Sequence, residues 1–281
     1  MYILLALACG ALWGTWQFGI GRAGRQMSVY SVVLVSGGAA TLLYLVLGVV
    51  TGSLVFDEID VVSGLLGGLL GLIGTVFILK ALAMGKMGVT TGVSQAYVLI
   101  PLAYSIFLGE AIQPLALVGV VVVLAGLITF ILLHAKPAGG EGAGRGQLIA
   151  IFLALVSAVF WGASIVVLDV GSLNNIYGTL ALSEVPQVVV GLIVAVAARS
   201  FGGLTRHELA PLAGAGAALA LGYVAFYSAA ALGDIGVVSV LAALSPVVTA
   251  ILALIFLKER MNRAEIMSLV VILAGTAMVV I

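Results

Sequence analysis

Apolar residues in this chain come in runs of about twenty, cut by short clusters of charge, glycine or proline. A helix needs about 20 apolar residues to cross some 30 Å of hydrocarbon. Read that way, the runs predict ten membrane-spanning helices over 2–20, 28–52, 62–84, 88–109, 113–133, 147–168, 176–198, 209–232, 235–257 and 263–281. A membrane β-strand would alternate polar and apolar residues over about ten positions. The stretch VVVVLAGLITFILL (120–133) does nothing of the kind. The expected fold is therefore an all-α polytopic membrane protein. The one extended polar segment, HAKPAGGEGAGRGQ (134–147), has the composition of a flexible linker and falls between the fifth and sixth spans. It divides the chain into two five-span units, 1–133 and 148–281.

Composition agrees with lipid as the main solvent. Hydrophobic residues make up 63% of the chain and charged residues 8%, against roughly a quarter charged in a soluble domain. The net charge is zero and no basic tract is present, which disfavours a nucleic-acid partner. Cys9 is the single cysteine, so an internal disulfide is excluded. Met1 leads into YILLALACGALWG without a basic stretch, which predicts a retained first span rather than a cleaved signal peptide.

The two units match each other. Trp13-Gly14 aligns with Trp161-Gly162, 148 residues on (161 − 13), and Gly88 aligns with Gly236 at the same offset (236 − 88). FLGE ending at Glu110 aligns with FLKE ending at Glu259, and LAG at 124–126 with LAG at 273–275, both 149 apart (259 − 110, 273 − 124). Near-constant offsets on differing residue types indicate an internal duplication. Five is odd, so the second copy must enter the bilayer from the opposite side and the copies are inverted. Charge is consistent with this. The connections after odd-numbered spans carry Arg22, Arg25, Lys86, Lys136, Arg145, Arg199, Arg206, Lys258, Arg260 and Arg263. The opposite connections carry Asp57, Glu58, Asp60, Glu110, Asp169 and Asp234 and no basic residue. The positive-inside bias predicts a multi-pass protein of the cell (inner or plasma) membrane with both termini non-cytoplasmic.

W-G in the first and sixth spans, A-L…G…G-V leading into the fourth and ninth, F-L-[GK]-E closing those two, and a final L-A-G helix in each unit form one pattern. It resembles the drug/metabolite transporter superfamily, specifically its EamA-type ten-helix members. The resemblance covers essentially the whole chain. It implies a carrier of amino acids, sugars, amines, nucleotide-linked metabolites or drugs, working through a central cavity between the two units. Two departures stand out. Pro246 stands thirteen residues before Glu259 (259 − 246), but the matching position before Glu110 is Tyr97, with the proline displaced to Pro101. The charge bias also puts the termini outside, where the resemblance implies termini inside.

Transporters built from inverted repeats bind substrate near the midplane, between the repeats. Trp13 and Trp161 lie mid-span rather than in the interfacial belt that tryptophan favours, which makes them either cavity walls or wide side chains packed beside Gly14 and Gly162. Gln17 follows Trp13 by one turn, and Ser157, Trp161 and Ser164 share a helical face. Ser94, Tyr97, Pro101 and Tyr104 form a similar stripe in the fourth span, and Tyr223 and Tyr227 stack one turn apart in the eighth. The expected substrate contacts are Trp13, Gln17, Ser94, Tyr97, Trp161, Ser164, Tyr223 and Tyr227, with Pro101, Pro186 and Pro246 breaking helices where they line a cavity or are covered by protein. Packing alone is the competing explanation for the prolines and tyrosines.

Glu184, in LALSEVPQVVV, stands near the centre of the seventh span. A carboxylate there costs about 3 kcal/mol on insertion scales, so it should face the interior or water. Its counterpart is Ser36 (184 − 148), so the charge does not come from the repeat. It fits a counter-charge for a cationic substrate or a proton-coupling carboxylate; a plain hydrogen bond to a neighbouring helix is the structural alternative. Lys80 can snorkel to the membrane edge. The glycines of GLLGGLLGLIG (64–74) suit close helix packing. GIGRAG (19–24) lacks the strand-turn-helix setting of a dinucleotide site, the DEID segment (57–60) reads as a solvated loop, and Glu110 and Glu259 read as helix-end anchors. His134 and His207 have no partners at ligand spacing, so no metal and no cofactor is expected.

Together these features predict a secondary active transporter, not an enzyme, for a small polar organic solute: an amine, an amino acid or a related metabolite. Two units rock around an aromatic pocket built from spans 1, 3, 4, 6, 8 and 9, with Glu184 at its edge. Protons are a candidate coupling ion, and the assembly is a monomer or homodimer. A membrane-embedded lipid-handling enzyme and a passive solute channel are the alternatives.

Overall fold

In the computed structural model the structure describes residues 1–85, 87–109, 114–134, 141–258 and 263–280. Lys86, Lys136, Arg260 and the two expected anchors Glu110 and Glu259 lie outside the described residues. Everything regular among the described residues is helical. The helices are α1 (Tyr2–Gly24), α2 (Val29–Val50), α3 (Glu58–Met84), α4 (Met87–Ser94), α5 (Leu99–Phe107), α6 (Pro114–His134) and α7 (Glu141–Ser172). They continue as α8 (Ile176–Ser183), α9 (Val185–Ala197), α10 (Arg206–Ala230), α11 (Ile235–Ala242), α12 (Ser245–Leu252) and α13 (Arg263–Val280). Joined across their breaks, seven of these runs are long and apolar enough to cross a membrane: α1, α2, α3, α7, α8–α9, α10 and α11–α12 with the π-helical turn Ala253–Leu257. The fourth, fifth and tenth expected spans correspond to α4–α5, α6 and α13.

The breaks have a common cause. A 3₁₀ turn, Gln95–Val98, separates α4 from α5; Glu184 alone separates α8 from α9; Ala243 and Leu244 separate α11 from α12. Pro101, Pro186 and Pro246 each follow a break within a few residues. Proline has no N–H to donate and its ring clashes with the preceding turn, so the helix restarts with proline in its first turn, where the missing donor costs nothing. Elsewhere the ends are capped by side chains. The Asn175 Oδ1 accepts from the Gly178 N–H at 2.7 Å at the start of α8, and Asp234 accepts from Gly236 N–H at 2.7 Å and Val237 N–H at 3.0 Å at the start of α11.

Three sequence expectations change here. Residues 141–147, read as linker, already belong to α7, and His134 closes α6; once a packed segment has nucleated a helix, adding residues to its end is cheap even where glycine is frequent. GIGRAG continues α1 to Gly24. The DEID segment is not a solvated loop. Asp57 and Asp60 form a reciprocal capping box on α3, and Asp60 is completely buried. Asn174 donates to Asp60 at 3.0 Å and to Asp57 at 3.2 Å, and Thr179 donates to Asp60 at 3.3 Å. A buried carboxylate persists when its lone pairs are taken up this way.

Packing is closest along two seams, α1 against α10 and α3 against α7, with α6 against α13 at one side. Glycine makes both seams. A Cβ on Gly74 of α3 would lie 2.5 Å from the Trp161 ring of α7, and one on Gly222 of α10 2.5 Å from the Trp13 ring of α1. The glycine row 64–74 is therefore a packing surface, since small residues let helix backbones approach without side chains between them.

Candidate functional site

Between the seams, beside the break in α8–α9, lies a cavity of about 10 Å³, room for roughly one water. Its wall takes Trp16 from α1, Gly68, Gly71 and Thr75 from α3, and Trp161, Ser164 and Leu168 from α7. Ser183 comes from the end of α8, Glu184 from the break, Gln187 from α9, and Leu219 and Tyr223 from α10. Glu184 is 2% exposed and accepts a hydrogen bond from the Gln187 side-chain amide. The Trp16 and Trp161 rings lie 5.5 Å apart, and their indole N–H groups diverge: Trp16 donates to Ser36 Oγ at 3.2 Å, Trp161 to Thr75 Oγ1 at 3.4 Å. Ser164 Oγ donates to the Gly67 carbonyl at 2.7 Å, tying α7 to α3. One carboxylate flanked by three aromatic rings is chemistry suited to a cation, which gains both the ion pair and the ring faces.

Of the eight expected substrate contacts, Trp161, Ser164 and Tyr223 line this cavity. Trp13 does not. It sits one turn away in an aromatic cluster, with ring centroids 5.0 Å from Tyr223, 5.3 Å from Phe226 and 6.1 Å from Tyr97. Tyr97 is buried there, with its hydroxyl 3.4 Å from the Ser239 carbonyl it donates to. Tyr227 stacks on Tyr223 at 6.0 Å and donates to the Ile165 carbonyl at 3.1 Å, so its hydroxyl is spent on α7. Gln17 accepts from Thr249 Oγ1 at 3.4 Å, and Ser94 donates back to the Thr91 carbonyl at 2.8 Å. Gln17 thus ties α1 to α12 and Ser94 bonds within α4, and neither lines the cavity.

The two Trp-Gly pairs resolve in an unexpected way. Trp13 lies against Gly222 of α10, and Trp161 against Gly74 of α3. Gly14 and Gly162 instead admit the backbones of the broken spans. A Cβ at Gly14 would lie 2.5 Å from the Ser245 carbonyl oxygen, and one at Gly162 2.8 Å from that of Tyr97. The fourth and ninth spans thus lie behind the first and sixth, outside the cavity they were expected to line.

Trp16, Thr75, Ser183 and Gln187 escaped the sequence reading. A usable signal existed for two of them. Trp16 is the counterpart of Ser164 (164 − 16 = 148) and Thr75 of Tyr223 (223 − 75 = 148), so carrying the offset through the chosen residues finds both. Gln187 corresponds to Ala39 and only its position one turn after Glu184 could have pointed to it.

Each end of the bundle is tied, one across the α2–α3 and α7–α8 connections and the other across their counterparts, α9–α10 and α1–α2. At one end Asn174, Asn175 and Thr179 hold Ser53, Asp57 and Asp60; Asn175 donates to the Ser53 carbonyl at 2.5 Å. At the other end Ser28 N–H donates to the Gly202 carbonyl at 2.9 Å, Ser31 Oγ to the Phe201 carbonyl at 2.6 Å and Tyr30 to the Ser200 carbonyl at 3.2 Å. The first tie contains carboxylates; the second is built from hydroxyls and backbone.

With this geometry in hand, the comparisons place the chain. The EamA-like transporter family matches it twice, over residues 1–132 and 148–281. The protein belongs to that family, within the drug/metabolite transporter superfamily, and is a multi-pass membrane protein. No curated protein is similar to it in sequence. One solved crystal structure, whose description names no activity, shares the fold with a TM-score of 0.75 at 18% identity, covering 99% of this chain and 95% of its own.

Proposed function

We propose that the protein is a secondary active transporter of a small polar organic solute carrying a positive charge, an amine or amino acid or related metabolite, and that it works by alternating access. The observation that carries this is Glu184: a nearly fully buried carboxylate at a mid-span helix break, facing a cavity walled by Trp16, Trp161 and Tyr223. A charge at that depth costs about 3 kcal/mol on insertion scales, and packing supplies no reason to bear it.

Ten spans in two inverted units remain our reading of the architecture. It is supported by the pairing of contacts: α1 with α10 matches α7 with α3, and α1 with α11–α12 matches α7 with α4–α5, when each helix is replaced by its counterpart. A cavity of about 10 Å³ holds no organic solute, and both ends are tied, so this arrangement corresponds to the occluded form. The ties must open in turn for solute to pass. The same closure argues against an open channel. We keep the orientation that charge favours, with both termini non-cytoplasmic, and place the protein in the cell membrane.

Counterflow into proteoliposomes loaded with amines, amino acids or sugars tests the proposal. The expected result is saturable counterflow of a cationic or zwitterionic solute that Glu184→Gln reduces by about tenfold or more, the ~1.4 kcal/mol that one decade represents. Unsaturable flux, or a Glu184→Gln protein that transports at the wild-type rate and pH profile, overturns it.

A further inference from the structure

A second and much larger hollow lies on the outer face of the bundle. It measures about 350 Å³ and is walled by Thr15, Phe18, Gly19, Arg22 and Ala23 of α1 and by Glu208, Pro211, Leu212, Gly214 and Ala215 of α10. On α1 the exposed positions Leu4, Ala8, Ala11, Thr15 and Arg22 recur at helical spacing, and Thr15 and Arg22 of that stripe form the rim. On α10, Pro211 and Gly214 are exposed in the same manner. The hollow therefore opens sideways, toward the bilayer, with buried Phe18, Leu212 and Ala215 as its floor.

Its charged groups, Arg22 and Glu208, are both at one end, and the Thr15 hydroxyl is turned back on the Ala11 carbonyl. Arg22 lies in the last turn of α1 and Glu208 in the first turn of α10, so both stand where the two helices meet the same membrane surface. Arg22 is six residues beyond Trp16, or about 9 Å along the axis at ~1.5 Å per residue, and its long stem carries the charge on toward the headgroup layer. Helix dipoles account for an arginine at a C-terminal end and a glutamate at an N-terminal end. They do not account for an apolar trough running from those two opposite charges toward mid-membrane.

We propose that this groove seats one phospholipid whose headgroup carries both a phosphate and a primary amine. Arg22 takes the phosphate through its planar fork of donors, Glu208 takes the ammonium, and an acyl chain lies in the trough over Phe18, Leu212 and Ala215. Oppositely charged rim groups select a zwitterionic headgroup over an anionic one, which would meet the Glu208 carboxylate. The proposal is independent of what the carrier transports.

The test is lipid retention by the purified full-length protein, read by native mass spectrometry, with phosphatidylethanolamine, phosphatidylcholine and phosphatidylglycerol of identical chains. Wild type is expected to retain the ethanolamine lipid at least severalfold above the others. Arg22→Gln should lower retention of all three, and Glu208→Gln should erase the preference for ethanolamine over glycerol. Gly214→Phe tests the trough without touching charge: a Cβ there meets nothing within 4 Å, so the ring can fold into the hollow and displace lipid. Lys80→Gln, on α3 and outside the groove, should change nothing. Equal retention of the three lipids by wild type, or retention unaltered in Arg22→Gln and Gly214→Phe, overturns the proposal.

Discussion

The α1–α10 seam and the α3–α7 seam are counterparts, position for position, at an offset of 148 (161 − 13), and they differ where they face the cavity. Along the first stand Trp16, Leu219 and Tyr223; the matching positions along the second are Ser164, Gly71 and Thr75. Bulk on one side meets its absence on the other, so the hollow is pushed off centre toward α3 and α7. The carboxylate lies with the small side chains. At Ser36, which accepts the Trp16 indole N–H, the first unit has only a hydroxyl; at Glu184 the second has a carboxyl group held by Gln187. A duplicated scaffold supplies the interface, and a few diverged positions turn one side of it into chemistry.

The comparison breaks most completely at its shared glycines. Gly68→Ala drives a methyl group to 2.0 Å from the Ser183 carbonyl oxygen, and overpacking of that kind costs about 3 kcal/mol or more. The expected outcome is a large fall in the thermal midpoint, measured in detergent. Gly38→Ala is the contrast: nothing lies within 4 Å of its Cβ, so the change should stabilise by up to about 1 kcal/mol through helix propensity.

Next in size is Glu184→Ser, which makes the second unit match Ser36. It should abolish the charge-dependent part of solute binding, a loss of about 2 kcal/mol or more and thus a rise of roughly 30-fold in half-saturation, measured by counterflow.

The two end ties sharpen the contrast further. Asn174→Ala leaves the buried Asp60 short of a donor and should cost about 1–3 kcal/mol, whereas Ser31→Ala at the opposite end should cost about 1 kcal/mol. Thermal midpoints of the two variants, compared side by side, check the ranking. Of the same size as Ser31→Ala is Ser164→Ala, which removes the bond to the Gly67 carbonyl and should cost about 1 kcal/mol of stability by the same measurement.

Much of this fold could be read from the chain because a bilayer enforces a simple rule: backbone groups must be satisfied within each span, so apolar runs of the right length become helices. The breaks were legible from Pro101, Pro186 and Pro246 for the same reason. Glu184 announced itself as a charge too costly to be incidental. The identity of the cavity wall was less accessible. Helical spacing assigns Tyr97 and Ser94 a common face but not the neighbour that face meets, and here it meets α1, α7 and α11 rather than the hollow. Trp13 and Trp161 occupy equivalent places, yet only Trp161 borders the cavity, because bulk at Tyr223 and Leu219 fills the space on the other side. Asp60 looked solvated because its partners Asn174 and Thr179 lie more than a hundred residues on, beyond the reach of any local pattern.

The arrangement of indoles has a practical result. The chain holds three tryptophans, at 13, 16 and 161, and all three stand in or beside the central core, each less than a tenth exposed. Tryptophan emission from this protein, excited selectively, thus originates entirely in its core. If the proposed alternating access parts the two halves, water reaches those rings and their spectrum shifts to the red, an unlabelled optical test of that motion.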